Sequence, residues 1–257
     1  MKSEVSGPFG IKRNHVYLIL TLWLGVHVFL FQIFGVRDYF VDSLRYIAMA
    51  DYLLLHGSLE DSYQFFYAVP IFLLAFFRAT FPDGVVAFVL FQSMVSAIAV
   101  LALYKSATVL FGNSTAGLSA AIIYLLWVDC IQWNTAVMTE SLAASLICIV
   151  ICLLTHFNDS LKVYALLFVL IFLCVATRPT GVLIAAGTVA FLLARYWPLL
   201  VVRPVLKFSL LFVLGAIAFS GAYIMLNQWD FTDQYERGNI VTYMDTIEGE
   251  RYYHGEL

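Results

Sequence analysis

Asp42, Arg45 and Tyr46 stand at i, i+3 and i+4 in the stretch Arg37–Gly57, RDYFVDSLRYIAMADYLLLHG, and Met49 and Leu53 continue the series at i+7 and i+11. A helix over this stretch sets a carboxylate, a guanidinium and a phenol on one face, backed by Met and Leu. Such a set can accept a proton, neutralise an anion and orient a hydroxyl. Its charges cannot sit in hydrocarbon, so the helix is expected to lie in a membrane interface and not across it. The plainer alternative is an amphipathic linker helix whose acids simply face water.

The elements around it are set by composition. The chain is 62% hydrophobic and 12% charged, where soluble domains carry roughly 25% charged residues. Its apolar runs approach the roughly 20 residues of a membrane-spanning helix. The expected class is therefore all-α and polytopic. Runs at about 15–36, 85–104, 116–128, 141–155, 163–176, 181–194 and 208–226 give about seven transmembrane helices. Residues 1–226 form one transmembrane module with interfacial helices at about 37–82, and 227–257 form a polar tail. Lys12 and Arg13 precede the first run, which is too long for a signal peptide and has no small-residue cleavage site, so it reads as a retained anchor.

Sidedness turns on residues 65–81, which hold Pro70 and Arg78. If they do not cross, segments 1–14, 105–115, 156–162 and 195–207 share a side and carry eight basic residues against Glu4 and Asp159. If they do cross, the basic residues split evenly. Lys and Arg collect in cytoplasmic loops, so the first arrangement is expected. The N-terminus is then cytoplasmic and the tail extracytoplasmic, in a plasma or inner membrane.

This topology gathers the Asp42 helix, the segment 128–141 and the turn Thr177–Gly181 on the outer face. Glu140 and Arg178 come with them, as does Asp129. Taken singly, Glu140 is a carboxylate favoured by a helix N-terminus and Arg178 an interfacial anchor or paired charge. Gathered against the interfacial helix, they suit a substrate with one end in lipid and the other in water. No cofactor is expected: there is no glycine-rich nucleotide loop, CxxC pair or metal-spaced histidine pair. Asp38 and Asp42 with a remote Glu140 are a thin basis for a divalent cation. The four cysteines form no disulfide pattern, and no basic stripe speaks for nucleic acid.

The order of these features resembles the GT-C superfamily of membrane glycosyltransferases, which includes protein O-mannosyltransferases, the lipid A aminoarabinose transferase and bacterial polyprenyl-phosphate-sugar-dependent transferases. The resemblance is carried by Asp42-Ser43-Leu44-Arg45-Tyr46 running to Leu54-Leu55-His56-Gly57, then Tyr67-Ala68-Val69-Pro70 and Tyr104 through Leu110-Phe111-Gly112-Asn113. Thr139-Glu140-Ser141-Leu142 and Arg178-Pro179-Thr180-Gly181 complete it. It covers about residues 10–215. Two departures stand out: Ser43 replaces the second acid of the Asp-Glu pair in many relatives, and the chain is shorter than they are.

The resemblance implies an enzyme that moves a sugar from a polyprenyl-phosphate donor to a lipid, glycan or protein acceptor at the extracytoplasmic face. It makes Asp42 the catalytic base, assigns Arg45 and Arg178 to the lipid phosphate, and leaves Tyr46 and Glu140 to position sugar or acceptor hydroxyls. Single displacement would invert the anomeric centre. The rival class is a non-catalytic membrane subunit, or a transporter or flippase of lipid-linked sugars. The short length adds a partner subunit to the expectations.

Overall fold

The computed structural model describes residues 12–60, 62–156 and 160–202. These residues are helical. In order they form α1 (Arg13–Phe34), α2 (Val41–His56), α3 (Ala68–Thr80), α4 (Gly84–Phe111), α5 (Ser114–Leu126), α6 (Val128–Ile131), α7 (Thr139–Thr155), α8 (Leu161–Val175) and α9 (Gly181–Val202). Single 3₁₀ turns cover Ser62–Tyr67 and Gln132–Thr135. Among the described residues there is no strand, only an isolated parallel bridge between Arg37 and Ala136. Met1–Ala190 forms one compact unit, which holds the cavity described below; residues from Phe191 belong to another.

The helical class and the membrane character expected from composition are present. Two helices, α1 and α4, are long and apolar enough to span a bilayer, and α5 with its continuation Val128–Thr135, bent by 65°, would make a third. α7 and α8 are 17 and 15 residues long. At 1.5 Å per residue they reach about 22–26 Å, short of a hydrocarbon core of about 30 Å. Seven spans are thus more than helix length alone supports. The expected span at 208–226 and the tail at 227–257 lie outside the described residues.

Side-chain contacts fix the directions of the helices. Tyr104 near the end of α4 meets His15 and Lys12 at the start of α1, while Ser96 meets Trp23 and His27 further along. α1 and α4 are therefore antiparallel, so the chain from Gly35 to Asp83 begins and ends at one end of the bundle. α4 is the central helix, packed most extensively along α7 and α5. Its contact face uses small side chains, Ser93, Ser96 and Ala99, all buried, which lets backbones approach as membrane helices require.

Between α1 and α4, α2 and α3 pair with one another. The buried face of α2 is Ser43, Tyr46, Met49, Ala50 and Leu53; Tyr46, Met49 and Leu53 belong to the face read from sequence, whereas Asp42 and Arg45 of that face are exposed. The buried face packs on Ile71, Leu74 and Ala75 of α3. Gly57 ends α2 in the left-handed conformation, φ +70°, where a Cβ would be strained. A two-pronged ion pair closes the α2–α3 pair: Arg78 Nε and Nη2 donate to the Asp51 carboxylate at 2.8 and 3.0 Å. Arg78, read from sequence as a mark of an interfacial segment, is here the partner of an acid one helix away.

Candidate active site

The end of the bundle that carries α2 and α3 also receives the segment Trp127–Met138 and the α8–α9 turn. Three sets of bonds bring them together. Arg37 exchanges backbone hydrogen bonds with Thr135 and Val137, at 2.8 and 3.0 Å. Ser43, one residue after Asp42, donates to the Val137 carbonyl at 3.0 Å. Val69 N–H donates to the Ala176 carbonyl at 2.9 Å, joining the start of α3 to the α8–α9 turn.

Arg37 is itself buried, with 5% of its surface exposed. Its guanidinium donates to Thr135 Oγ1 at 3.2 Å and to the Gln132 carbonyl, and it lies over the rings of Phe34, Phe40 and Trp133. Burial lowers its pKa, and the carbonyl and ring faces offset that penalty. Arg37 thus fastens the 127–138 segment to the α1–α2 connection.

A buried polar cluster holds the same segment from below. The Asn134 amide donates to His27 Nε2 at 2.9 Å, and His27 Nδ1–H donates to the Trp23 carbonyl at 2.8 Å, which sets the tautomer. Ser141 donates to Asn134 Oδ1 at 2.5 Å, Ser93 to the Asn134 carbonyl at 2.9 Å, and Gln92 Nε2 reaches the carbonyls of Trp133, Asn134 and Ala136. In a medium without water, these bonds satisfy carbonyls that the bent helix leaves open.

The outcome is one cavity of about 80 Å³ lined by Asp42, Arg45, Tyr46, Met49, Tyr67, Thr139, Glu140 and Arg178. The five residues given a role from the sequence line it: Asp42, Arg45, Tyr46, Glu140 and Arg178. Asp42 and Arg45 are exposed at its rim, and Tyr46 is buried. Asp42 and Glu140 occupy the first turns of α2 and α7, where a helix dipole favours a carboxylate. Arg178 Nη1 lies 2.5 Å from Glu140 Oε1.

The α8–α9 turn that carries Arg178 is tight. Gly181 N–H donates to the Arg178 carbonyl at 2.8 Å. A Cβ at Gly181 would stand 2.1 Å from the Cys174 carbonyl oxygen, so only glycine fits.

Tyr46 lies beside Thr139 in the cavity wall, and burial raises its pKa to about 12, with the Asp42 and Glu140 charges pushing the same way. Its phenol is therefore a neutral donor at physiological pH. Its ring lies 5.5 Å from that of Tyr67. Tyr67 and Thr139 were quoted from sequence only as parts of motifs, and their place in the cavity is new. Asp38 and Asp129 are exposed and do not line the cavity, and Asp51 is the partner of Arg78. Among the described residues no three His, Cys, Asp or Glu side chains cluster to hold a metal ion.

No family model, curated protein or solved structure matches the chain.

Proposed function

We propose that the protein is an integral-membrane glycosyltransferase of the GT-C type that uses a polyprenyl-phosphate-linked sugar. The observation that carries the proposal is convergence: three segments spread over the chain from Asp42 to Arg178 deliver two carboxylates, two guanidiniums and a neutral phenol to one cavity. Asp42 at the rim accepts the proton of the acceptor hydroxyl as its oxygen bonds to the anomeric carbon. The bond from that carbon to the phosphate oxygen breaks, and the polyprenyl phosphate leaves with the electron pair. Arg45 and Arg178 take up the charge on its oxygens, Glu140 orients the Arg178 fork, and Tyr46 donates to a sugar or acceptor hydroxyl. A cavity of about 80 Å³ takes a phosphate or one edge of a sugar, so the rest of the donor lies across its mouth and in lipid.

In the same reading α1, α4, α5, α7, α8 and α9 are spans, and the cavity faces the extracytoplasmic side. The count of Lys and Arg over the whole sequence, eight on the opposite side against six, supports this sidedness. Among the described residues the opposite end carries Lys12, Arg13, Lys105 and Lys162 without an acid, while the cavity end mixes Arg37, Arg45, Arg78 and Arg178 with Asp38, Asp42, Asp51, Glu60, Asp83, Asp129 and Glu140. The test is transfer of radiolabelled sugar from a synthetic polyprenyl-phosphate donor by purified protein. Donor binding without transfer to any lipid, glycan or peptide acceptor would favour the non-catalytic subunit or flippase instead.

A further inference from the structure

The two cavity carboxylates stand on helices whose starts are not secured by their own sequences. Asp42 lies in the first turn of α2 and Glu140 in the first turn of α7. The residues that precede these helices are Phe40 and Met138, and neither offers a side chain to cap the open N–H groups. Serine, threonine, aspartate or asparagine normally fills that place. The two starts are tied to each other instead. Ser43, next to Asp42, donates to the Val137 carbonyl at 3.0 Å, and Val137 N–H donates to the Arg37 carbonyl at 3.0 Å. Ser43 is fully buried and Val137 is 1% exposed, so bulk water cannot take the place of the hydroxyl. Val137 also packs in the apolar cluster with Tyr46, Met49 and Leu142.

We propose that Ser43 is a positioning residue, whose hydroxyl fixes the separation between Asp42 and the Glu140–Arg178 pair. The inference rests on the glycosyltransfer reading above. In that reading Asp42 meets the acceptor hydroxyl, while Arg178, oriented by Glu140, meets the donor phosphate. A continuous path joins the two. It runs along the chain from Asp42 to Ser43, through the hydrogen bond to Val137, along the chain to Glu140, and through the ion pair to Arg178. Of its two side-chain links, the Ser43 hydroxyl is the buried one. Acceptor and donor meet only if the two walls keep this spacing, and a misplacement of about 1 Å at a reacting centre can cost about 100-fold in rate. A hydroxyl that only filled space in the core would affect stability and leave turnover per folded molecule as it was.

Ser43→Ala removes the donor with little change of volume, and Ser43→Cys keeps the shape with a weaker donor. Transfer by the full chain is measured per folded molecule, with donor and acceptor varied in turn. Ser43→Ala is expected to lower kcat about 10- to 100-fold with donor KM close to the parent, since Arg45 and Arg178 remain. Ser43→Cys should fall between, and it carries the kinetic test if Ser43→Ala does not fold. A second measurement needs no activity. In a cysteine-free background, Asp42→Cys with Glu140→Cys places two thiols on the cavity, and dibromobimane becomes fluorescent on joining them. Adding Ser43→Ala is expected to slow this cross-linking several-fold, with single-thiol labelling of Asp42→Cys unchanged. Parental kcat in both Ser43 variants, or cross-linking at the parental rate, would overturn the proposal. If the parent protein transfers no sugar, the glycosyltransfer reading falls, and cross-linking alone decides whether Ser43 sets the spacing.

Discussion

Arg178 and Glu140 are joined at 2.5 Å although they lie in different helix connections, one at the α8–α9 turn and the other in the first turn of α7. Their side chains remain 35% and 28% exposed, so the pair is reachable from the cavity and contributes little to stability. Exposed ion pairs are worth about 0–1 kcal/mol. A cation and an acid held at a cavity wall at so small a gain are better explained by what they meet there.

Arg178→Ala is expected to lower stability by no more than about 1 kcal/mol while weakening donor use about 10- to 150-fold, the range of a charge-assisted contact. Arg178→Lys should keep the fold and recover only part of that loss, because a point charge replaces a planar fork. Donor titrations at fixed acceptor, beside thermal melts, check both variants. Unchanged kinetics in both would make Arg178 a turn anchor only.

Asp42 sits at the rim in the first turn of α2 and is exposed. Asp42→Asn keeps the shape and removes the basic lone pair. Transfer is expected to fall about 100- to 10,000-fold, with melting temperature and donor binding near the parent. Asp38→Asn, outside the cavity, should transfer at the parental rate. The comparison is one of initial rates, and an active Asp42→Asn would remove the base from the mechanism.

Asp51 tests the scaffold. From sequence it is expected to tolerate change, since it lies on a different side of the helix from Asp42. The structure adds a partner that the sequence did not indicate, because Asp51 is held by two bonds from Arg78. The pair is 31–41% exposed, which limits it to about 1 kcal/mol even with bidentate geometry. Asp51→Asn and Arg78→Ala should each lower stability by about that much, and the double variant by little more. Fully additive losses would show that the contact contributes nothing.

Tyr46 makes a prediction about pH. Its pKa is raised from 10 to about 12 in the fold, so the unfolded chain loses this proton first as pH rises. The stabilisation is complete below pH 10 and is lost as pH climbs from 10 through about 12. Melting temperature of the parent should therefore fall more steeply over pH 9–11.5 than that of Tyr46→Phe. Parallel curves would remove Tyr46 from the account.

The topology is open to labelling. In a cysteine-free background, a cysteine at Asp129, which is exposed, should react with an impermeant thiol reagent from outside intact cells, and one at Ser160 should be protected. Ser106 and Asn134 are unsuitable probes because they are 1% and 2% exposed. Reversed labelling would place the Asp42 cavity at the cytoplasmic face.

Much of this was open to the sequence by itself. Membrane character follows from composition because too few charges remain to cover a water-facing surface. The buried face of α2 follows from the helical repeat, and Tyr46, Met49 and Leu53 fall on it as the spacing requires. Tertiary structure decided the convergence. Ser43 reaches a carbonyl 94 residues away, Arg37 a hydroxyl 98 residues away, and Val69 the carbonyl of Ala176. Two of these three acceptors are backbone carbonyls. Every residue carries one, so no side chain in the sequence marks which will be used. The same holds for Asp51 and Arg78: each is legible as a charge, but their meeting depends on how α2 turns back on α3. Chain chemistry decided which groups the protein possesses, and packing of α2 and α3 against α4, α7 and the α8–α9 turn decided which of them share a cavity.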